Sequence, residues 1–367
     1  MCRTRIVHCC SRGDNLFVFN VTLKSSGRQF QTAPGETVLE AAQRAGVALP
    51  YSCRAGVCGS CKATLLEGSC EYPRNPPLAL NAGERAHHAV LLCQAVPASD
   101  LVLEAREVTS VEDIARRQLA MVVTEKWRLA EDVIGLRLLP APGERPLKRL
   151  PGQYMDVLLE DNKRRPFSIA NGPQVDGMIE MHVRHVAGGG FTTWVSDSLK
   201  VGDRLRIEGP LGTFVPREDS ERPMLFMAGG TGFAPIKAIV EHFIELGTRR
   251  SIHVYWGARS ASDLYLRPLA EHWTRALPHL HFHAVLSEPA LADGLRTGLV
   301  HEAVLADQPD LSGHDVYMSG PPAMIDAAHP LFLAAGLPEE RLYYDSFEYA
   351  PDVLAQIIAA RAGIHDV

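Results

Sequence analysis

The chain has 367 residues, 37 of them Lys or Arg and 43 Asp or Glu, for a net charge of −6; this length suggests two or three domains. That balance gives no hint of nucleic-acid binding, and no run approaches 18 consecutive apolar residues, so no membrane span is expected. Residues 1–15 lack the apolar core of a secretory signal, and the cysteine usage fits a reduced cytoplasm.

In chain order, residues 1–15 read as a disordered leader, with a labile metal or redox site at Cys9–Cys10 as the other reading. From Phe17, F-V-F-N-V-T-L-K-S-S-G-R-Q-F-Q-T alternates apolar residues around a Ser-Ser-Gly turn, the pattern of a β-hairpin. T-V-L-E-A-A-Q-R-A-G-V follows with helical spacing at Val38, Leu39, Ala42 and Ala45, and Gly46 as a stop. Next comes Y-S-C-R-A-G-V-C-G-S-C, which holds Cys53, Cys58 and Cys61, and later L-L-C-Q-A with Cys93. C-x4-C-x2-C with a distant fourth Cys is the plant-type [2Fe–2S] spacing, and such a cluster moves electrons singly near roughly −400 mV. A zinc site would need a second ligand pair, which Cys93 lacks, and a thioredoxin-like dithiol would not carry a third Cys five residues upstream. Gly56 and Gly59 suit a loop folded tightly around an inorganic core. Residues 16–108, with eight basic and eight acidic side chains, form a charge-balanced unit without evident electrostatic steering.

Residues 109–117 read as a linker. The runs M-V-V-T-E-K-W-R-L, I-G-L-R-L-L, Q-Y-M-D-V-L-L, M-I-E-M-H-V-R-H-V and D-R-L-R-I-E-G-P, broken by Gly and Pro, predict a small antiparallel barrel over 118–220. From 221 to 349 strands alternate with helices: P-M-L-F-M-A, a helix with Ile236, Ile239, Val240 and Phe243 closed by Gly247, then S-I-H-V-Y-W-G-A-R, H-F-H-A-V-L-S and D-V-Y-M-S-G. That alternation predicts a parallel α/β sheet. Residues 350–367 carry Val353, Leu354, Ile357 and Ile358 at helical spacing, either a loosely packed terminal helix or a docking tail.

The barrel run R-R-P-F-S-I-A-N places Arg165 and Phe167 on one strand face and Ser168 on the other. An Arg fork grips phosphate, an aromatic stacks on a flat ring and a Ser hydroxyl bonds a ring nitrogen, although an ordinary surface strand fits these residues too. A-G-G-G-F-T-T-W-V predicts a helix start at Thr192 or Thr193, either an anion site at the backbone amides or a flexible loop with a Thr cap. Gly229-Gly230-Thr231-Gly232 lies between a buried strand and a helix, where nucleotides bind in open α/β sheets, but it is not G-x-G-x-x-G. Ser319-Gly320, followed by Pro321-Pro322 opening a helix, repeats the arrangement at another strand end. His182 and His185 point to opposite strand faces and make poor joint metal ligands. Neither G-x-S-x-G nor H-E-x-x-H is present.

On the cysteine spacing, R-P-F-S, G-P-L-G-T-F, G-G-T-G-F-A-P and S-G-P-P-A-M, in that order, the chain resembles the ferredoxin–NAD(P)H reductase superfamily with an N-terminal plant-type ferredoxin domain. Within it the chain is most similar to the CDP-6-deoxy-Δ3,4-glucoseen reductases, while reductases of aromatic-ring and phenol hydroxylases share the same motifs. The resemblance implies a multidomain α+β and α/β protein: a β-grasp ferredoxin domain, an antiparallel flavin-binding β-barrel and a parallel α/β nucleotide-binding domain. It implies a [2Fe–2S] cluster on Cys53, Cys58, Cys61 and Cys93, FAD in the barrel, and NADH or NADPH as donor. Arg165 would meet the FAD phosphates, Phe167 would stack on the isoalloxazine, Ser168 would sit near N5, and Gly190 and Thr192 would approach the diphosphate. Gly230, Thr231, Gly320 and Met324 would line the nicotinamide-nucleotide site, with Arg259 near its ribose or phosphates and Phe347 near the flavin. Phe167 stands where the family often has Tyr, and Ser319 where it commonly has Cys. The acceptor implied is a protein, a sugar dehydratase or an oxygenase component. The lack of a basic cluster after Y-W-G-A-R-S-A-S-D favours NADH.

Overall fold

A computed structural model describes residues 18–347 apart from 52–53, 57, 109–113, 161–162, 176, 187–189 and 289–293. The expected leader, the terminal tail, most of the linker and Cys53 therefore lie outside the described residues. Two units emerge, residues 1–49 with 54–107, and residues 50–53 with 108–367.

The first unit holds β1 (Phe19–Leu23), β2 (Gln29–Thr32), α1 (Val38–Arg44), β3 (Lys62–Glu67), β4 (Cys70–Glu71), α2 (Ala82–Ala86), β5 (Ala89–Leu91), β6 (Val96–Pro97) and β7 (Leu101–Glu104). β1 and β2 form the predicted hairpin, and β1 then pairs in parallel with β7, giving a mixed five-stranded sheet in the order β2-β1-β7-β3-β5. α1 starts where the sequence predicts because Thr37 and Glu40 form a reciprocal capping box, Glu40 N donating to Thr37 Oγ1 at 3.2 Å and Thr37 N to Glu40 Oε2 at 2.9 Å. Its buried Val38, Leu39, Ala41 and Ala42 contribute to a core with Val21, Leu23, Leu91 and Leu103.

The second unit opens with β8 (Arg117–Ala130), β9 (Val133–Pro140), β10 (Tyr154–Leu158), β11 (Arg164–Ser168), β12 (Ile179–Arg184), α3 (Gly190–Asp197) and β13 (Arg204–Leu211). The predicted linker thus ends one residue early, since Arg117 already pairs with Gly209. The strands form an antiparallel sheet of six in the order β11-β10-β13-β8-β9-β12. Just past β11, Ala170 N donates to Glu180 O on β12 at 2.8 Å, which brings the sheet's two edges together as a barrel. Met121, Leu136, Met155, Met181 and Ile207 fill its interior. The helix expected from Thr192 or Thr193 begins instead at Gly190, because Phe191 is buried with its ring centroid 5.4 Å from Phe167 and pins the turn earlier. The Thr192 hydroxyl bonds back to Val186, accepting from its N at 3.1 Å.

The unit continues with β14 (Met224–Gly229), α4 (Phe233–Glu245), β15 (Ile252–Ala258), α5 (Arg267–Ala276), β16 (Leu280–Leu286), β17 (Arg296–Thr297), α6 (Val300–Asp307), β18 (Asp315–Gly320), α7 (Pro322–Ala334) and β19 (Leu342–Ser346). All strands are parallel, in the order β17-β16-β15-β14-β18-β19. β14 and β18 are buried along their whole length, as a sheet covered on both faces requires. Phe226 and Trp256 pack with α4 and α5 on one face, Met227 and Tyr255 with α6 and α7 on the other. The chain runs outward from β14 to β17, then returns to place β18 on β14's other side. The switch in strand order falls between β14 and β18, and the crevice beyond their carboxyl ends is the ligand position of such sheets.

One edge of this sheet carries stacked imidazoles. His253 on β15 lies 4.7 Å, centroid to centroid, from His281 and 6.0 Å from His283 on β16. Burial first, then the charges of His281, His283 and His314, push the His253 imidazole down to about 4, against the pull of Asp307. The unfolded chain, with an ordinary imidazole near 6.5, binds more protons between those values. Stability is therefore complete above about pH 6.5 and falls as pH drops toward 4. In thermal melts between pH 7 and 4, His253→Phe is expected to flatten this slope; a parallel profile in the variant would show that the ladder does not set acid stability.

Candidate functional site

The cysteine loop is a tight turn held from outside. Arg54, Gly56 and Gly59 all take left-handed backbone, with φ of 54°, 80° and 80°. Gln94 Nε2 donates to Arg54 O at 2.7 Å, and Ala79 N donates to Gly56 O at 3.0 Å. A Cβ at Gly56 would meet Gln94 Cγ at 3.0 Å, so the strained backbone also has no room for a side chain. Leu92 N donates to Cys61 O at 3.1 Å, which brings Cys61 beside Cys93; both are buried, while Cys58 is partly exposed. Burial above all pushes the Tyr72 phenol up to about 12, with the neighbouring Cys70, Cys61 and Cys93 adding to the rise. Cys70 stands apart chemically: burial pushes its thiol up to about 11, so it stays protonated and makes a poor ligand. Three of the four cysteines expected to hold a cluster are thus placed on one pinned loop and the adjoining strand end; Cys53 lies outside the described residues.

In the second unit the barrel presents β11. Arg164 turns to the barrel's outer carboxylates, 3.0 Å from Glu208 and 3.6 Å from Asp156. Arg165 Nη1 donates to Arg164 O at 2.9 Å, and among the described residues no carboxylate pairs with it, so its remaining N–H groups can reach a phosphate. Phe167 packs at the rim of the barrel core, and Ser168 Oγ donates to Asp345 Oδ2 on β19 at 3.4 Å. Gly190 is exposed, and a Cβ there would meet nothing within 4 Å.

The crevice between β14 and β18 is closely fitted. Gly230–Gly232 form a 3₁₀ turn between β14 and α4, with Gly230 at φ 54°. Trp256 Nε1 holds the turn by donating to Gly230 O at 2.9 Å, and Phe233 stacks flat on Trp256 at 3.8 Å. Across the crevice stand Ser319, Gly320 and Met324; Cβ atoms at Gly229 and Gly320 would lie 2.7 Å from Met324 Sδ and 2.9 Å from its Cε. Phe347 N donates to Gly320 O at 3.0 Å, placing that half-buried aromatic at the same strand end. Ser319 is fully buried and its Oγ has no hydrogen-bond partner, an orphaned hydroxyl of the kind a bound ring amide or carbonyl satisfies. Thr231 sits half-buried on the turn, and Arg259, at the carboxyl end of β15, is 68% exposed with Asp263 3.9 Å away. The expected nucleotide residues converge here, with Arg259 at the outer margin.

Two further residues belong to this cleft that the motifs do not mark. Arg184, at the end of β12, ion-pairs with Asp132 at 2.6 Å and with Asp263 at 3.7 Å, and its buried Nη2 has no partner; a Cβ at Gly230 would lie 3.9 Å from it. Asp345 faces Ser168 from two residues before Phe347, a strand-period signal readable only once Phe347 is placed. His182 and His185 do not converge: His182 turns inward to Glu180 and Tyr265, and His185 to Thr193 at 3.2 Å.

Comparison with known proteins finds three family models along the chain. Residues 21–98 match the family model of the 2Fe-2S iron-sulfur cluster binding domain, 120–215 that of the oxidoreductase FAD-binding domain, and 226–330 that of the oxidoreductase NAD-binding domain. The chain is 38% identical over 328 residues to a CDP-6-deoxy-L-threo-D-glycero-4-hexulose-3-dehydrase reductase of Yersinia pestis, covering 89% of this chain and 98% of that one. It is 36% identical over 335 residues to reductase component 2 of the terephthalate 1,2-dioxygenase of a Comamonas species, covering 90% and 98%. Among solved structures, the cytochrome P450 reductase GcoB of Amycolatopsis aligns with a TM-score of 0.71 at 33% identity, over 90% of this chain and 99% of that one.

Proposed function

We propose that this chain, which belongs to the iron–sulfur flavoprotein reductases of the ferredoxin reductase family, passes electrons from NADH through FAD and a [2Fe–2S] cluster to a CDP-6-deoxyhexulose 3-dehydratase in the cytoplasm. The observation that carries the acceptor is the 38% identity to a hexulose-dehydrase reductase across 98% of that protein's length. An oxygenase component is the second reading, favoured by the 36% identity to a dioxygenase reductase over a matching span.

Bound FAD accepts electrons in pairs and releases them singly, and the cluster carries them one at a time. The chain's own residues bind and align. Arg165 would neutralise the FAD phosphates, Phe167 would present a stacking face, and Gly190 and Thr192 would let the diphosphate approach the start of α3. Ser168, which donates its hydroxyl proton to Asp345 Oδ2 at 3.4 Å, would turn its oxygen lone pairs to the flavin's N5 edge. Gly230, Thr231, Gly320 and Met324 would seat the nicotinamide nucleotide, with the Ser319 hydroxyl facing its ring. Phe347 would cover the flavin from the carboxyl end of β19 and exclude water. Asp263, which accepts from Ser260 N at 3.1 Å beside Arg259, sets an acidic group at the end of β15 and supports NADH over NADPH. No helix among the described residues is long and apolar enough to cross a membrane.

The test is an anaerobic mixture of the reductase, NADH, a pyridoxamine-phosphate-dependent CDP-sugar dehydratase and its CDP-hexulose substrate. Sugar-dependent NADH consumption with a 3-deoxysugar product is the expected result. Bleaching of flavin and cluster with no sugar reduced would overturn this acceptor and leave the oxygenase reading.

A further inference from the structure

Behind the nucleotide turn, charged side chains are buried where apolar ones would hold the fold as well. Lys237 on α4 is 7% exposed and lies one helical turn beyond Phe233. Its Nζ donates to Ala170 O at 3.0 Å and to Glu241 Oε2 at 2.9 Å, and lies 3.3 Å from Glu180 Oε1. Glu180, on β12, is also bonded to His182 Nε2 at 3.1 Å, and the other nitrogen of that ring lies 3.0 Å from the Tyr265 hydroxyl. Burial alone would raise the Glu180 carboxyl; His182 and Lys237 instead hold it down to about 2.

The connections of this network matter more than its charge. Ala170 lies two residues past Ser168, just beyond the strand expected to face the flavin, and its N is already bonded to Glu180 O. Lys237 rides the helix that springs from the Gly230–Gly232 turn. A single ammonium therefore ties the end of the flavin strand to the start of the nucleotide helix. Replacing a buried ion pair by well-packed apolar groups is often neutral or stabilising, so stability by itself gives no reason to place one here. A hydrogen bond to one carbonyl fixes a register that apolar contact leaves free to slide.

We propose that Lys237 and Glu180 are positioning residues for hydride transfer, fixing the nucleotide turn against the strand that carries Phe167 and Ser168. The inference rests on the reading that a nicotinamide delivers its hydride to flavin in this cleft. Transfer of that kind is sensitive to placement, a displacement of about 1 Å costing roughly 100-fold.

The full-length, FAD-loaded chain and its Lys237→Met and Lys237→Met/Glu180→Gln variants serve for the test. Three quantities are measured: the melting temperature, the limiting rate of flavin bleaching by NADH, and the long-wavelength charge-transfer absorbance formed when NADH first meets oxidised flavin. The single variant is expected to melt lower, because it removes the ammonium shared by Glu180 and Glu241, and the double variant to recover part of that loss, with Glu241 still lacking its partner. Both are expected to bleach roughly 10- to 100-fold more slowly at saturating NADH, with a diminished charge-transfer band and near-parental NAD⁺ affinity. A double variant with parental band and rate, whatever its melting temperature, would make the pair merely structural and overturn the proposal. Should the double variant fail to hold FAD, Tyr265→Phe, which removes one hydroxyl from the same network, decides: a weakened band at unchanged melting supports positioning, and an unchanged band overturns it. If NADH fails to bleach the parent chain, it is the hydride-transfer reading that falls.

Discussion

Cys58→Ser is expected to abolish delivery to one-electron acceptors while NADH still bleaches the flavin. Cys58 sits between Gly56 and Gly59 on the pinned loop of the first unit, whereas β11, β14 and β18 belong to the second. Losing a thiolate ligand removes the single-electron carrier. Anaerobic absorbance during NADH addition, followed by transfer to a one-electron dye or protein, separates the two steps. A variant that keeps its FAD yet is no longer bleached would show that this division of labour between the units is wrong. A variant that keeps the cluster's absorbance and still feeds the protein acceptor would remove Cys58 from the ligand set.

Gly232→Ala is expected to cripple nucleotide use by a different route. A Cβ at Gly232 would lie 2.0 Å from Ser319 O, 2.5 Å from Ser319 C and 2.8 Å from Gly320 N, all backbone atoms of β18. No rotamer change relieves such a clash; the turn and the strand end must part, and that gap is the crevice the nicotinamide would occupy. Overpacking of this kind costs about 1–3 kcal/mol and sometimes more. A fall of several degrees in melting temperature is expected, together with a higher NADH concentration for half-maximal flavin bleaching. Gly313→Ala is the control: a Cβ there would meet nothing within 4 Å, and it should melt within about 0.5 kcal/mol of the parent. A Gly232→Ala chain with parental melting and NADH response would mean that β14 and β18 approach less closely than their packing indicates.

Much of this was legible from residues alone. The cysteine spacing names its metal chemistry because sulfur ligation constrains which residues stand at which positions, and Gly56 and Gly59 betray the turn that brings them together. The helical spacing from Val38, the apolar run of β14 and the glycine turns at two strand ends are local features, decided within a few residues, and they appear where the sequence puts them. Helix α3 shows the limit: its start shifts to Gly190 because Phe191 packs on Phe167, a partner on another strand.

What only the tertiary structure decided are the pairings of groups remote in sequence. On β12, Glu180 and His182 share a face that α4 and the segment before α5 cover, and Lys237 and Tyr265 become their partners. Asp345 reaches Ser168 across 177 residues, and Arg184 reaches the Gly230 turn from the barrel. The physical reason is common to all of these. Backbone conformation is set by near neighbours, but which buried polar group satisfies which other is settled when distant elements pack and exclude water, and a single chain carries no record of that pairing.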